Sequence, residues 1–119
     1  MAKILVVEDC CIMRELIGLQ LAAAGYSVDE AEDGLSGLEA VRRSRPDVIV
    51  SNVDMPVLDG FQFFGALQAD RSARTIPVIF VSAQTRRRPR AEELGAAAFV
   101  TKPVILKKLL GLVFEYARP

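Results

Sequence analysis

The 119-residue sequence contains no histidine. That absence excludes imidazole acid–base catalysis, histidine nucleophiles and histidine metal ligands together. A metal held by this chain therefore takes oxygen ligands, which favours Mg²⁺, Ca²⁺ or Mn²⁺. Cysteine is scarce as well: only Cys10 and Cys11, adjacent in sequence. Neighbouring Cα atoms lie about 3.8 Å apart, below the disulfide range, so the pair is no disulfide framework and a reducing cytoplasm is the expected setting. Long hydrophobic runs are missing too. Nothing approaches the roughly 20 apolar residues that span a bilayer, and the start MAKILVVEDCC is too short and acidic for a signal peptide.

What is present suits one soluble α/β domain, read as residues 1–119. Hydrophobic residues make up 51% and charged residues 25%, an ordinary globular composition. Net charge is zero but uneven: residues 1–60 hold 5 Lys/Arg against 11 Asp/Glu, and residues 61–119 hold 10 against 4. This argues for an acidic site in the first half and against a chain-wide nucleic-acid surface. Five short apolar runs recur: Ile4–Val7, Ser27–Ala31, Val48–Val50, Val78–Val81 and Ala98–Val100. Three of them are continuous and Val/Ile-rich, as strands buried on both faces should be. Between them lie helical spacings. Residues 12–24 align Met13, Ile17, Leu21 and Ala24, with Gly25 as a left-handed cap. Residues 35–44 align Leu35, Leu38 and Val41, and residues 104–117 align Leu106, Leu110, Val113 and Ala117 beside Leu109. Alternation of this kind predicts a parallel sheet covered by helices on both faces.

Sites in such sheets form at the carboxyl ends of the strands. Glu8 and Asp9 follow the first run, Asn52 the third, Ser82 and Ala83 the fourth, and Lys102-Pro103 the fifth. Carboxylates that bind a divalent cation, with an ammonium and a hydroxyl for phosphate oxygens, suit a metal-held phosphoryl group. An acid pair after a strand is by itself usually a solvated loop; the coincidence of all of them carries the reading.

These pieces together resemble the receiver domain of two-component response regulators. The matching stretches are VVEDCCIMR, NVDMPVLDG, VSA and FVTKP, over residues 3 to 117. The resemblance implies a flavodoxin-like sheet of order 2-1-3-4-5 and a cis Lys102–Pro103 bond. It implies Mg²⁺ held by Asp9, by Glu8 through water, by residue 52 and by the main-chain carbonyl of Asp54. Lys102 and Ser82 would serve the phosphoryl group, and Ser82 with Phe99 would couple the site to the output face. The implied partners are a sensor histidine kinase or phosphotransfer protein, a downstream effector on the α4–β5–α5 face, and a second copy in a homodimer; no enzyme activity, membrane or nucleic acid is implied for the domain.

The departure is Asn52, where the family carries the Asp that becomes an acyl phosphate. An amide cannot be phosphorylated in that way, and Mg²⁺ should bind more weakly without the third carboxylate. Asp54 lies within the loop, and Asp59 reads as a helix N-cap, so neither replaces it. Either the chain signals by binding alone, as a phosphorylation-independent interaction module, or Asn stands where a phosphorylated receiver had Asp. An unrelated flavin-binding α/β protein fares worst, because no Gly- or Ser/Thr-rich phosphate loop follows the first run. A second departure is the basic segment QTRRRPR, whose Pro89 predicts a short fourth helix beginning nearby. Its arginines read as a solvated loop or as a docking patch at the edge of the output face. Cys10 and Cys11, beside the acid pair, read as packing residues ahead of the alternative of redox-sensitive thiols. Ending just after the fifth helix, the sequence suits a single-domain regulator or one domain of a larger protein.

Overall fold

The computed structural model describes residues 2–103 and 106–117. Five parallel strands alternate with helices: β1 (Lys3–Val7), α1 (Cys11–Ala23), β2 (Ser27–Ala31), α2 (Gly34–Arg43), β3 (Val48–Asn52), α3 (Gly60–Gln68), β4 (Val78–Ser82), α4 (Arg88–Leu94), β5 (Ala98–Thr101) and α5 (Leu106–Tyr116). A 3₁₀ turn, Thr85–Arg87, leads directly into α4. The sheet order is β2-β1-β3-β4-β5, as expected. Central strands β3 and β4 are buried along their whole length, which explains their unbroken apolar runs.

Two apolar layers sandwich the sheet. One gathers Leu5, Val7, Ile49, Phe63, Phe64, Phe80 and Phe99 under α2, α3 and α4. The other gathers Ile4, Val6, Ile17, Leu21, Val50, Ile79, Leu109 and Val113 under α1 and α5. Phe80 stands edge-on to both Phe61 and Phe64, at 5.3 and 5.8 Å between ring centres.

The stripes on α1 and α2 depart from their sequence-based expectation at their ends. Ala24 lies just past α1 and is exposed, while Gly25 takes the expected positive φ of 101°. Leu35 is also exposed, because α2 approaches the sheet through its small residues. A Cβ on Gly37 would come within 3.0 Å of the Phe63 ring, so the helix seats Gly34, Gly37, Ala40 and Val41 inward and turns Leu35 out. In α5, Leu109 and Val113 are buried, while Leu106 and Leu110, with Ala117 just past the helix end, pack at the core edge; positions 104 and 105 of the expected helix lie outside the described residues.

Asp59 caps α3 as expected. Its carboxylate accepts from Gln62 N at 2.8 Å, and Gln62 Oε1 accepts from Asp59 N at 3.0 Å, a reciprocal capping box. Asp59→Ala should therefore cost about 1 kcal/mol of stability, read as a lower urea midpoint at unchanged slope.

Candidate functional site

Because all five strands run parallel, their carboxyl ends share one edge, and the polar residues beyond the apolar runs meet there. Glu8 and Asp9 follow β1, Asn52 and Ser82 are the last residues of β3 and β4, and Lys102 follows β5. At the centre, the side-chain nitrogen of Asn52 donates to Glu8 Oε2 at 3.0 Å, Asp9 Oδ1 at 2.9 Å and the main-chain oxygen of Asp54 at 3.1 Å. Two N–H groups thus serve three acceptors, so one bond is shared. Asn52 Oδ1 accepts from Val53 N at 3.0 Å. That bond fixes which end of the amide is which. Reversed, the oxygen would face two carboxylates and a carbonyl, and the NH₂ would face a backbone N–H.

Glu8 is 2% exposed, a buried charge that needs a partner. Lys102 Nζ supplies it at 2.9 Å from Oε1, and Cys10 N adds a bond to Oε2 at 3.2 Å. Asp9 stands at the exposed rim. Partial desolvation by itself raises its pKa. Hydrogen bonding with Glu8, Asn52 and its own backbone, with the charge of Lys102, outweighs that and holds the carboxyl below its ordinary value. The sign follows: Asp9 is ionised at neutral pH and stabilises the fold there, a contribution lost as pH falls through the lowered value.

The donor set suits a hard divalent cation in kind, since Glu8, Asp9 and the Asp54 carbonyl bring oxygen atoms together. Asn52 does not suit it in this orientation: an N–H group points at those oxygens, and the only amide oxygen is engaged by Val53. Among the described residues, no group of three or more Asp, Glu, Cys or His side chains is arranged to hold a metal. Ser82 is fully buried, with Oγ accepting from Gln84 N at 3.0 Å, and its main-chain oxygen accepts from Lys102 N at 2.8 Å. Phe99 is buried two residues before Thr101, the β5 partner of Ser82. The Lys102–Pro103 bond is cis, as expected.

The loop after Asn52 carries backbone strain. Val57 has φ 70°, and Leu58 N bonds to Pro56 O at 2.8 Å across it, the strained form of γ-turn and an outlier for a β-branched residue. Gly34 N, donating to Leu58 O at 3.1 Å, ties the loop to α2.

Gln84, Arg87 and Arg88, read from sequence as part of a solvated loop or docking patch, are placed by the structure against the site instead. Arg87 Nη2 meets Asp54 Oδ1 at 2.7 Å, and Gln84 Nε2 meets Oδ2 at 3.2 Å, so the 3₁₀ turn covers both oxygens of Asp54. The Arg88 guanidinium lies 4.8 Å from the centre of the Phe99 ring. The signal was the arginine run that begins four residues after Ser82. Arg86 and Arg90 do face solvent, but Arg87 and Arg88 turn inward. Cys10 and Cys11 are exposed rather than packed, because they sit at the N-cap and first turn of α1, at the site rim and outside both core layers.

The chain matches the model of the response regulator receiver domain over residues 4–114. It is 39% identical over 105 residues to the response regulator PleD of Caulobacter vibrioides, covering 87% of this chain and 23% of that protein. This chain thus spans about a quarter of that relative's length. The chemotaxis protein CheY4 of Vibrio cholerae superposes with a TM-score of 0.91 at 31% identity, covering 98% of both chains. The receiver domain of the sensor histidine kinase PA1611 from Pseudomonas aeruginosa superposes at 0.88 with 26% identity over 98% of this chain and 97% of that one, and carries a magnesium ion in its active-site cleft. With its strand order and its acid pair, lysine and serine at one sheet edge, the chain belongs to the response regulator receiver domain family.

Proposed function

We propose that residues 1–119 form one receiver domain that works in two-component signalling through protein contacts, as a non-enzymatic module that takes no phosphoryl group. The single observation that carries this reading is the Asn52 amide, 8% exposed and bonded to Glu8, Asp9 and the Asp54 carbonyl. The amide lone pair is delocalised, so the nitrogen is no nucleophile, and the oxygen bears no full charge. Neighbouring acids are committed elsewhere, Asp54 to Arg87 and Gln84, Asp59 to the α3 cap.

In the role proposed for them, Asp9, the Asp54 carbonyl, residue 52 and, through water, Glu8 would hold Mg²⁺. When bound, that ion would neutralise charge on phosphoryl oxygens. Asn52 weakens it twice, by removing an anionic ligand and by offering N–H to the ligands that remain. Lys102 holds the Glu8 carboxylate in place, and Ser82 and Phe99 are the proposed link to the α4–β5–α5 face. Partners on this reading are a sensor histidine kinase or phosphotransfer protein, a downstream effector, and a second copy, in the cytoplasm. Exposed apolar side chains suit a protein partner: Ile12, Leu16 and Leu19 form a stripe on α1, and Val57 stands on the loop after Asn52. Among the described residues no helix is long and apolar enough to cross a membrane.

The test is phosphorylation of the intact chain by acetyl phosphate with Mg²⁺, read by intact mass. No adduct is expected, and Asn52→Asp should acquire a base-labile one. A stoichiometric phosphoryl group on any aspartate of the unaltered chain would overturn the reading.

A further inference from the structure

We infer that α1 is a self-association surface, on which a second copy of this chain lays its own α1 antiparallel. A surface helix ordinarily has one apolar stripe and a polar outer side. This one is apolar on two opposite faces. Ile17 and Leu21 are buried in the layer under α1 and α5. Ile12, Leu16 and Leu19 are 75%, 42% and 59% exposed, and Ala23 is exposed in line with them. The steps of four, three and four residues between these positions are the heptad spacing that sets side chains into a facing helix. Glu15 is the one charge left on the outer side, because Arg14 turns back to the Glu8 main-chain oxygen at 2.8 Å and to Glu30 at 3.4 Å. Beside the seam, toward β2, runs a groove of about 500 Å³ whose lining includes Gly18, Leu19, Ala22 and Val28. Small residues there leave room for side chains from a facing helix.

The residues of the seam select the helix that fits it. Turned end for end about a point between Ile17 and Gly18, two copies of α1 set Leu16 against Leu19, Ile12 against Ala23 and Glu15 against Gln20. Leucine meets leucine at the centre, and a large side chain meets a small one at each end. The carboxylate meets an amide that can donate to it. A parallel pair is worse on each count: Ala23 would face Ala23 across a gap, and Glu15 would face a like charge. Net charge favours the same occupant, since the chain sums to zero and its copies have no overall repulsion to overcome. The 13 residues of α1 span roughly 20 Å. A seam that short buries less than the about 1,200–2,000 Å² of a standard interface, so the pair is weak, with a dissociation constant on the order of 10–100 µM. The contact rests on the receiver reading only for its consequence, that a paired copy stands beside the site: Ile12 follows Asp9 by three residues.

The experiment is analytical ultracentrifugation of the full chain from about 5 to about 500 µM, with Leu19→Glu, Gln20→Lys and Gln20→Glu beside the unaltered protein. The unaltered chain should pass from monomer to dimer across that range. Leu19→Glu should weaken the dimer about tenfold or more at an unchanged melting temperature, because Leu19 is exposed. Gln20→Lys should tighten it about three- to tenfold at low salt, through two symmetry-related pairs with the partner's Glu15, and lose that gain at high salt. Gln20→Glu should weaken it. A parallel pair would bring like charges together in Gln20→Lys, so weakening by that change would overturn the antiparallel seat. A chain that stays monomeric at about 500 µM would overturn the inference and leave the stripe to a helix of another protein. A dimer indifferent to Leu19→Glu would overturn it too. If Leu19→Glu lowers the melting temperature, the two Gln20 variants decide alone: opposite responses uphold the seam and equal ones overturn it. Phosphorylation of Asn52→Asp by acetyl phosphate is scored separately by intact mass. Uptake keeps the receiver reading whatever the sedimentation result, and no uptake refutes that reading without touching the dimer.

Discussion

Asn52→Asp should lower the metal-free melting temperature by on the order of 10 °C at neutral pH and make the fold dependent on Mg²⁺. The amide nitrogen now donates to Glu8 at 3.0 Å and Asp9 at 2.9 Å. An aspartate would turn those attractions into repulsions between like charges, each about 5 kcal/mol at 3 Å and an effective dielectric near 20. Lys102, water at the Asp9 rim and partial protonation reduce the net cost to about 2–4 kcal/mol. Mg²⁺ would then bind the native state alone and restore stability by mass action, about 2.7 kcal/mol at one hundred times its dissociation constant. Four melting curves decide it: both forms, each in EDTA and in excess Mg²⁺. If the aspartate form melts no lower in EDTA and Mg²⁺ shifts both forms equally, Glu8, Asp9 and residue 52 do not act as one cluster.

Gly60→Ala should be the most damaging single-methyl change in the chain, costing about 3 kcal/mol as a lowered urea midpoint. A Cβ at Gly60 would stand 2.3 Å from the Asn52 main-chain oxygen and 2.9 Å from Val53 Cα. Both are backbone atoms at the end of a buried central strand, so no side-chain rotation relieves the clash. Gly60 N also donates to Val53 O at 2.7 Å, which pins the start of α3 against the end of β3. The substitution would push apart the two elements that aim Asn52, and the Asn52 side-chain amide signals should move with the loss of stability. Gly65→Ala and Gly111→Ala are the controls. Both glycines lie in helices with nothing within 4 Å of an added Cβ, so each change should stabilise by about 0.5–1 kcal/mol through helix propensity. If Gly60→Ala behaves like these two, the close approach of α3 to β3 is wrong.

Much of the fold was legible in the sequence because the relevant physics is local or periodic. Continuous Val/Ile runs flanked by amphipathic spacings specify strands buried on both faces with helical crossovers, and Ile49, Val50, Ile79 and Phe80 are indeed in the two core layers. The site's membership was legible for the same reason: in a parallel sheet, residues just past successive strands must share an edge. Glu8, Asp9, Asn52 and Lys102 came together on that rule alone. Pro89 announced the short α4, since a proline is tolerated only in a helix's first turn, and the helix runs Arg88–Leu94.

Side-chain direction was decided by the tertiary structure. Sequence established that residue 52 is an amide and so fixed the chemistry it cannot do. Only the surrounding acceptors, brought from β1 and the β3–α3 loop, decided that its nitrogen faces the carboxylates. Leu35 reads as a core residue by spacing, and the close seat of Gly37 on Phe63 turns it outward. Cys10 and Cys11 read as packing residues by type, and their place at the mouth of the site leaves them exposed. The arginines after Ser82 look alike in sequence; the turn geometry aims Arg87 at Asp54 and Arg88 at Phe99 and leaves Arg86 and Arg90 in solvent. Periodicity determines which face of an element a residue occupies. The partner a polar or basic side chain finds depends on groups up to 94 residues away in the chain, as for Lys102 and Glu8, and folding alone brings those groups within reach.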